Sequence, residues 1–143
     1  MLSGLAVAAA AGGDEAGARR WLEAAQTARA AIDPSHPAGL FVLRASARVA
    51  ELQGRFDDSV SELQAASELA RRVIGADASV VAGIENDLGV ALNGLGRYRE
   101  ALQHLERARS MYLRRANGAD ANVAHLDANI SAIYESLGDY AQA

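Results

Sequence analysis

Few side chains in this 143-residue chain could do chemistry: three histidines, eighteen carboxylates and fourteen cations, all of them arginine. With no cysteine present, disulfides, thiolate nucleophiles and cysteine-type zinc sites are excluded. His36, His104 and His125 are far apart in sequence, so a metal site would need carboxylate help. His104 stands four residues after Glu100, an i, i+4 pair of the kind found on solvated helix faces. The glycines around Ala11-Gly12-Gly13-Asp14 lack the lysine of a phosphate-binding loop. No serine has a histidine and an acid in a nucleophile-elbow setting. No catalytic residue, cofactor site or metal site follows from these spacings, and no enzymatic activity is expected. Binding chemistry is better represented. Arg44 and Arg48, one helical turn apart, can fork onto a carboxylate. Asn86 and Asn93 can bond both the N–H and the C=O of a peptide backbone.

The elements that must position these groups are helices. Alanine supplies 33 residues and proline two, a composition that favours helix and leaves little material for strands. Half of the chain is apolar and 22% charged, as in ordinary folded protein. The net charge of −4 argues against nucleic acid as a partner. Residues Met1 to Ala11 are apolar but lack the basic start of a signal peptide. They are also too short to span a bilayer, so a cytoplasmic protein without a membrane partner is expected. Arginine without lysine beside so much alanine and glycine points to a GC-rich, bacterial coding bias.

A unit recurs at spacings of 41, 42 and 42 residues, anchored on Gly13, Gly54, Gly96 and Gly138. A charged residue follows each glycine (Asp14, Arg55, Arg97, Asp139), then an aromatic in three units (Phe56, Tyr98, Tyr140). Small residues stand five places after each glycine (Ala18, Ser59, Ala101, Ala143) and seven before it (Ala6, Ala47, Gly89, Ser131). Tyr98, Ala101, Leu102, Leu105, Ala108 and Tyr112 make one apolar helical stripe. Phe56, Ser59, Val60, Leu63, Ala66 and Ala70 repeat it, as do Ala18, Leu22, Ala25 and Ile32. The preceding helix carries Leu88, Ala91, Leu92 and Leu95, matched by Ile130, Ile133, Tyr134 and Leu137. Each unit is therefore a pair of helices joined by a glycine turn. Breakers at Asp33-Pro34-Ser35-His36-Pro37, Gly75-Ala76-Asp77 and Asn117-Gly118-Ala119-Asp120 separate the units.

Asn86-Asp87-Leu88-Gly89-Val90-Ala91-Leu92 with Leu95-Gly96-Arg97-Tyr98-Arg99-Glu100-Ala101-Leu102, echoed by Ile130-Ser131 and Leu137-Gly138-Asp139-Tyr140, resembles the tetratricopeptide repeat (TPR). The similarity is to the longer variety found in kinesin light chains and bacterial signalling proteins. It implies an all-α, right-handed helical-hairpin solenoid of about three and a half repeats. These would span residues 2–36, 37–77, 78–120 and 121–143, the last one truncated. A motif cut inside its last helix reads as a fragment of a longer array.

The resemblance further implies that first helices line a groove for an extended peptide or partner helix. Groove positions would then be Phe41, Arg44, Arg48 and Glu51 in unit two, and Gly83, Asn86, Val90 and Asn93 in unit three. In unit four they would be His125, Ala128, Ala132 and Glu135, with Asp87 and Asn129 at the margins. Asp87 stands where the family's chaperone carboxylate clamp carries asparagine, so an acidic or mixed-polarity peptide fits better than a chaperone tail. The expected role is a protein-interaction module of a signalling or regulatory protein. A structural or oligomerisation segment and a sensor of a signalling peptide are the alternatives. Trp21, whose counterparts are Glu62 and His104, is either a contact for a partner or a cover over the alanine-rich first unit. With its second helix cut short, the last unit should leave Leu126, Ile130, Ile133, Tyr134 and Leu137 partly exposed. A homodimer through that patch is expected.

Overall fold

The computed structural model describes residues 2–31, 33, 35–75, 79–115 and 121–142. The described residues contain seven α-helices and no strand: α1 (Leu2–Ala11), α2 (Glu15–Ala30), α3 (Ala38–Leu52), α4 (Phe56–Val73), α5 (Ser79–Gly94), α6 (Tyr98–Arg115) and α7 (Ala121–Gln142). They fall into two compact units, Met1–Ala76 and Asp77–Ala143. In the first, α1 pairs with α2 and α3 with α4, and α3 also lies against α1 and α2. In the second, α5 pairs with α6, and α7 packs on α6 with a smaller contact to α5. Ile32, Pro34 and the expected breakers at 76–77 and 117–120 lie outside the described residues.

One turn serves all three hairpins. Gly13, Gly54 and Gly96 have φ of 80°, 73° and 74°, a left-handed conformation that costs glycine nothing. The next amide in each case reaches back five residues: Asp14 N–H to the Ala9 carbonyl, Arg55 to Ala50, and Arg97 to Leu92, at 2.9, 2.8 and 2.9 Å. These are Schellman closures, which satisfy carbonyls the helix end would leave open. The following helix starts in two ways. Asp14 Oδ1 accepts the Gly17 N–H at 2.8 Å and caps α2. Arg55 and Arg97, at the same place in the later hairpins, turn to carboxylates three residues on, Asp58 and Glu100. Arg97 grips Glu100 through Nε and Nη2 at 2.8 and 2.6 Å. Those hydrogen bonds hold the exposed Glu100 carboxyl below its ordinary value. At the start of α3, His36 Nδ1 accepts the Ala38 N–H at 3.1 Å, so this histidine is a capping group.

The small residues seven places before each turn let paired helices approach. Ala6 and Ala47 are fully buried. At Gly89 a Cβ would lie 2.5 Å from Leu105 Cγ and 3.2 Å from the Ala101 carbonyl oxygen, so glycine is required by space alone. Ser131, the fourth member, is exposed, because α7 has no second helix across from it among the described residues.

Two expectations about α7 need correction. Gly138 is no turn: the helix runs through it to Gln142, and it is not among the glycines of positive φ. No second helix lies across from α7 among the described residues. Extending α7 adds a hydrogen bond per residue instead. Nor are Leu126 and Ile133 exposed; each is 1% accessible, and Val123 is buried beside them. This side of α7 is covered by packing within its own unit. Ile130 and Leu137 are half-buried and Tyr134 is 54% exposed. Their counterparts Leu88 and Leu92 are buried on α5, which has a hairpin partner that α7 lacks among the described residues.

Two glycine substitutions separate these environments. Gly89→Ala should lower stability by about 1–3 kcal/mol through overpacking against Leu105. Gly138→Ala should raise it by about 0.5–1 kcal/mol, since the site is helical and open. Urea melts read both values, and a loss at Gly138 would place a turn there after all.

Candidate functional site: the first-helix faces

On α3, Phe41, Arg44 and Arg48 stand at i, i+3 and i+7, which puts them on one face. The opposite face is buried through Leu40, Leu43, Ala47 and Ala50. Phe41 is 69% exposed, the most accessible large apolar side chain among the described residues. Arg48 Nη1 pairs with Glu51 at 2.8 Å, and the nearly buried Glu51 carboxylate also accepts the Ser59 hydroxyl at 2.9 Å. Arg48 is thus tied to its own hairpin, although a guanidinium with five donors is not exhausted by one pair. Arg44 is half-buried and engaged within the chain.

In the second unit, Asn129 Nδ2 donates to Asn86 Oδ1 at 3.3 Å, joining α7 to α5 across 43 residues of sequence. Asn129, placed at the margin by sequence, therefore meets a central groove position. Val90 is half-buried, and Asn93, His125 and Glu135 are exposed. α5 and α7 carry no arginine, so the polar character of this face comes from amides and carboxylates.

Sequence reasoning missed one cluster. Glu85 is 2% exposed, and its Oε2 lies 2.7 Å from His104 Nδ1 and 3.8 Å from Arg107 Nη1. With the proton on Nδ1, the imidazole donates to the carboxylate. His104 is thus a strap between α6 and α5, and its reading as a solvated partner of Glu100 is corrected. Burying a carboxylate is costly unless it is paired and hydrogen-bonded, and both conditions are met. The signal was available: Glu85 occupies the register of Leu43, a core position of α3. A second link, Arg109 Nε to Asp127 Oδ1 at 2.5 Å, joins α6 to α7.

Among the described residues no three histidine or carboxylate side chains are grouped to hold a metal ion. No described helix is long and apolar enough to cross a membrane. A family model for the tetratricopeptide repeat matches residues 41–114 and 80–143. The chain belongs to the tetratricopeptide repeat family. No curated protein sequence matches it. Among solved structures it is similar to a crystal structure of nearly identical TPR-like repeats from Podospora anserina, described as a kinesin light chain. The TM-score is 0.84 at 17% identity, with 96% of this chain and 65% of that chain covered. That likeness establishes a TPR-type helical-hairpin fold, in which this chain spans about two-thirds of its neighbour's length. TPR folds serve as scaffolds for protein–protein interaction.

The strap has a measurable value. His104→Leu should cost about 1–3 kcal/mol, because it strips a hydrogen bond from a buried charge. The double variant Glu85→Leu with His104→Leu, which restores the α3 chemistry at Leu43, should return to within about 1 kcal/mol of the parent. Chemical denaturation of the full cycle measures the coupling, and additive single costs would show that the two groups do not act together.

Proposed function

We propose that the chain is a peptide-binding module of a cytoplasmic signalling or regulatory protein, with the first-helix faces as its contact surfaces. The observation that carries this reading is the amide pair Asn86–Asn129, since it sets carboxamides from two first helices side by side. Carboxamides grip an extended backbone through its N–H and C=O groups and tolerate varied side chains. On the first unit, exposed Phe41 with Arg44 and Arg48 offers its own apolar and cationic contact on α3, suited to an acidic or mixed-polarity segment. Asn93, Val90, His125 and Glu135 complete the amide-bearing face.

A second reading is favoured by α7. Tyr134 with half-buried Ile130 and Leu137 offers a small apolar strip for a second copy. Leu126 and Ile133 no longer contribute, so the strip is narrower than the five-residue stripe.

An immobilised peptide array tests the first reading. Asn86→Ala with Asn93→Ala should remove most binding across sequences, while stability falls by no more than about 0.5–1.5 kcal/mol, the worth of one lost hydrogen bond. Arg44→Glu should weaken acidic peptides several-fold more than neutral ones, and added salt should shrink that difference. Unaltered binding by both variants would take these faces out of the function.

A further inference from the structure

The first unit holds a cleft of about 570 Å³ between α2, α3 and α4, on a different face from the one just described. Ser46 and Arg48 lie about 160° apart around α3, so the cleft opens away from Phe41, Arg44 and Arg48. Its size falls within the range of ligand sites. Its cause can be read from the repeat. At the register of Leu88 and Leu92, both buried in α5, α3 carries Ser46 and Ala50. Two leucine side chains are thus replaced by a hydroxymethyl and a methyl. The space they would fill is left open, with Leu22 and Ala50 supplying its apolar lining.

Polar groups surround that apolar part. Arg55 and Asp58 are paired with each other and cancel. Glu62 remains: its Oε1 accepts the Ser46 hydroxyl at 3.2 Å, and among the described residues no cation pairs with it. Its counterpart in α6 is His104, which is tied to Glu85. Gln26 and Ser61 stand beside it in the lining. The cleft therefore combines room for an aliphatic stem with one uncompensated carboxylate and two neutral hydrogen-bonding groups.

We propose that this cleft receives a lysine or arginine side chain from a segment of a partner protein. The four-carbon stem of lysine, or the three-carbon stem of arginine, lies where the leucines are missing. The cationic head then meets Glu62 while its outer side stays in water, the usual arrangement of these amphipathic chains. An acidic ligand would face the Glu62 carboxylate, with Arg55 already taken up by Asp58. A purely apolar one would leave the Glu62 carboxylate to lose water for nothing in return. The contact is independent of the peptide-binding faces, so either can fail without the other.

The probes are an acetylated, amidated Gly-Gly-Lys-Gly-Gly peptide, its norleucine twin with the same stem and no charge, and n-butylamine. Titrated into the isotope-labelled chain, the lysine peptide should shift the amides of Ser46, Ala50, Ser61 and Glu62. It should bind at least about tenfold tighter than the norleucine twin. Glu62→Gln should erase that preference with the melt unchanged. Ser46→Leu, which refills the space, should abolish binding of both peptides with helicity retained. If Ser46→Leu does not fold, the Glu62→Gln arm decides. Equal binding of the two peptides, a preference that survives Glu62→Gln, or shifts confined to the Phe41 face would overturn the proposal. Binding of n-butylamine as tight as the lysine peptide would overturn the protein segment as its source.

Discussion

How near two paired helices can come fixes what else each hairpin can hold. At Gly89 the approach is so close that a single methyl group would collide with Leu105. The neighbouring hairpins reach the same contact with Ala6 and Ala47, both fully buried. Close backbones leave room for only short side chains at the crossing, which is why this alanine-rich sequence can build a core with few large residues. The Schellman turn serves the same end. It reverses the chain within three residues and sets both helices in one register, so that each small residue meets its partner.

Where the hairpins differ, they differ in the polar links laid beside that crossing. In α3 and α4 the links are Ser46 to Glu62 and Ser59 to Glu51. In α5 and α6 the link is Glu85 to His104, with Arg107 close by. Each link costs desolvation and is offset by charge-assisted hydrogen bonding. The exchange has a consequence for surfaces. A carboxylate bound by histidine is spent, whereas among the described residues Glu62 is held by a serine hydroxyl and no cation, beside an open cleft.

The hairpin pattern was legible because periodicity and glycine spacing depend on local geometry. The stripe Ala101, Leu105 and Ala108 and the turns at Gly13, Gly54 and Gly96 required no knowledge of neighbours. The polar contacts were less legible, because they depend on which side chains the pairing brings opposite one another. His104 read as surface because Glu100 was its neighbour in sequence, while its partner Glu85 lay on another helix. Comparing Glu85 with Leu43, or Ser46 with Leu88, would have exposed both departures. Gly138 misled for a different reason. Its motif is a turn motif, yet a turn is stable only when something packs on both of its sides.

Gly138 also bears on how much of α7 the core depends on. Glycine is nearly indifferent to the sign of φ, so its straight and bent forms differ chiefly in a few terminal hydrogen bonds and in what they bury. Val123, Leu126 and Ile133 are already held by the second unit and do not depend on that choice. A turn at Gly138 like those at Gly13, Gly54 and Gly96 would leave that core untouched. A bend there would re-aim only what lies beyond Gly138, and no residue of that core would have to be released.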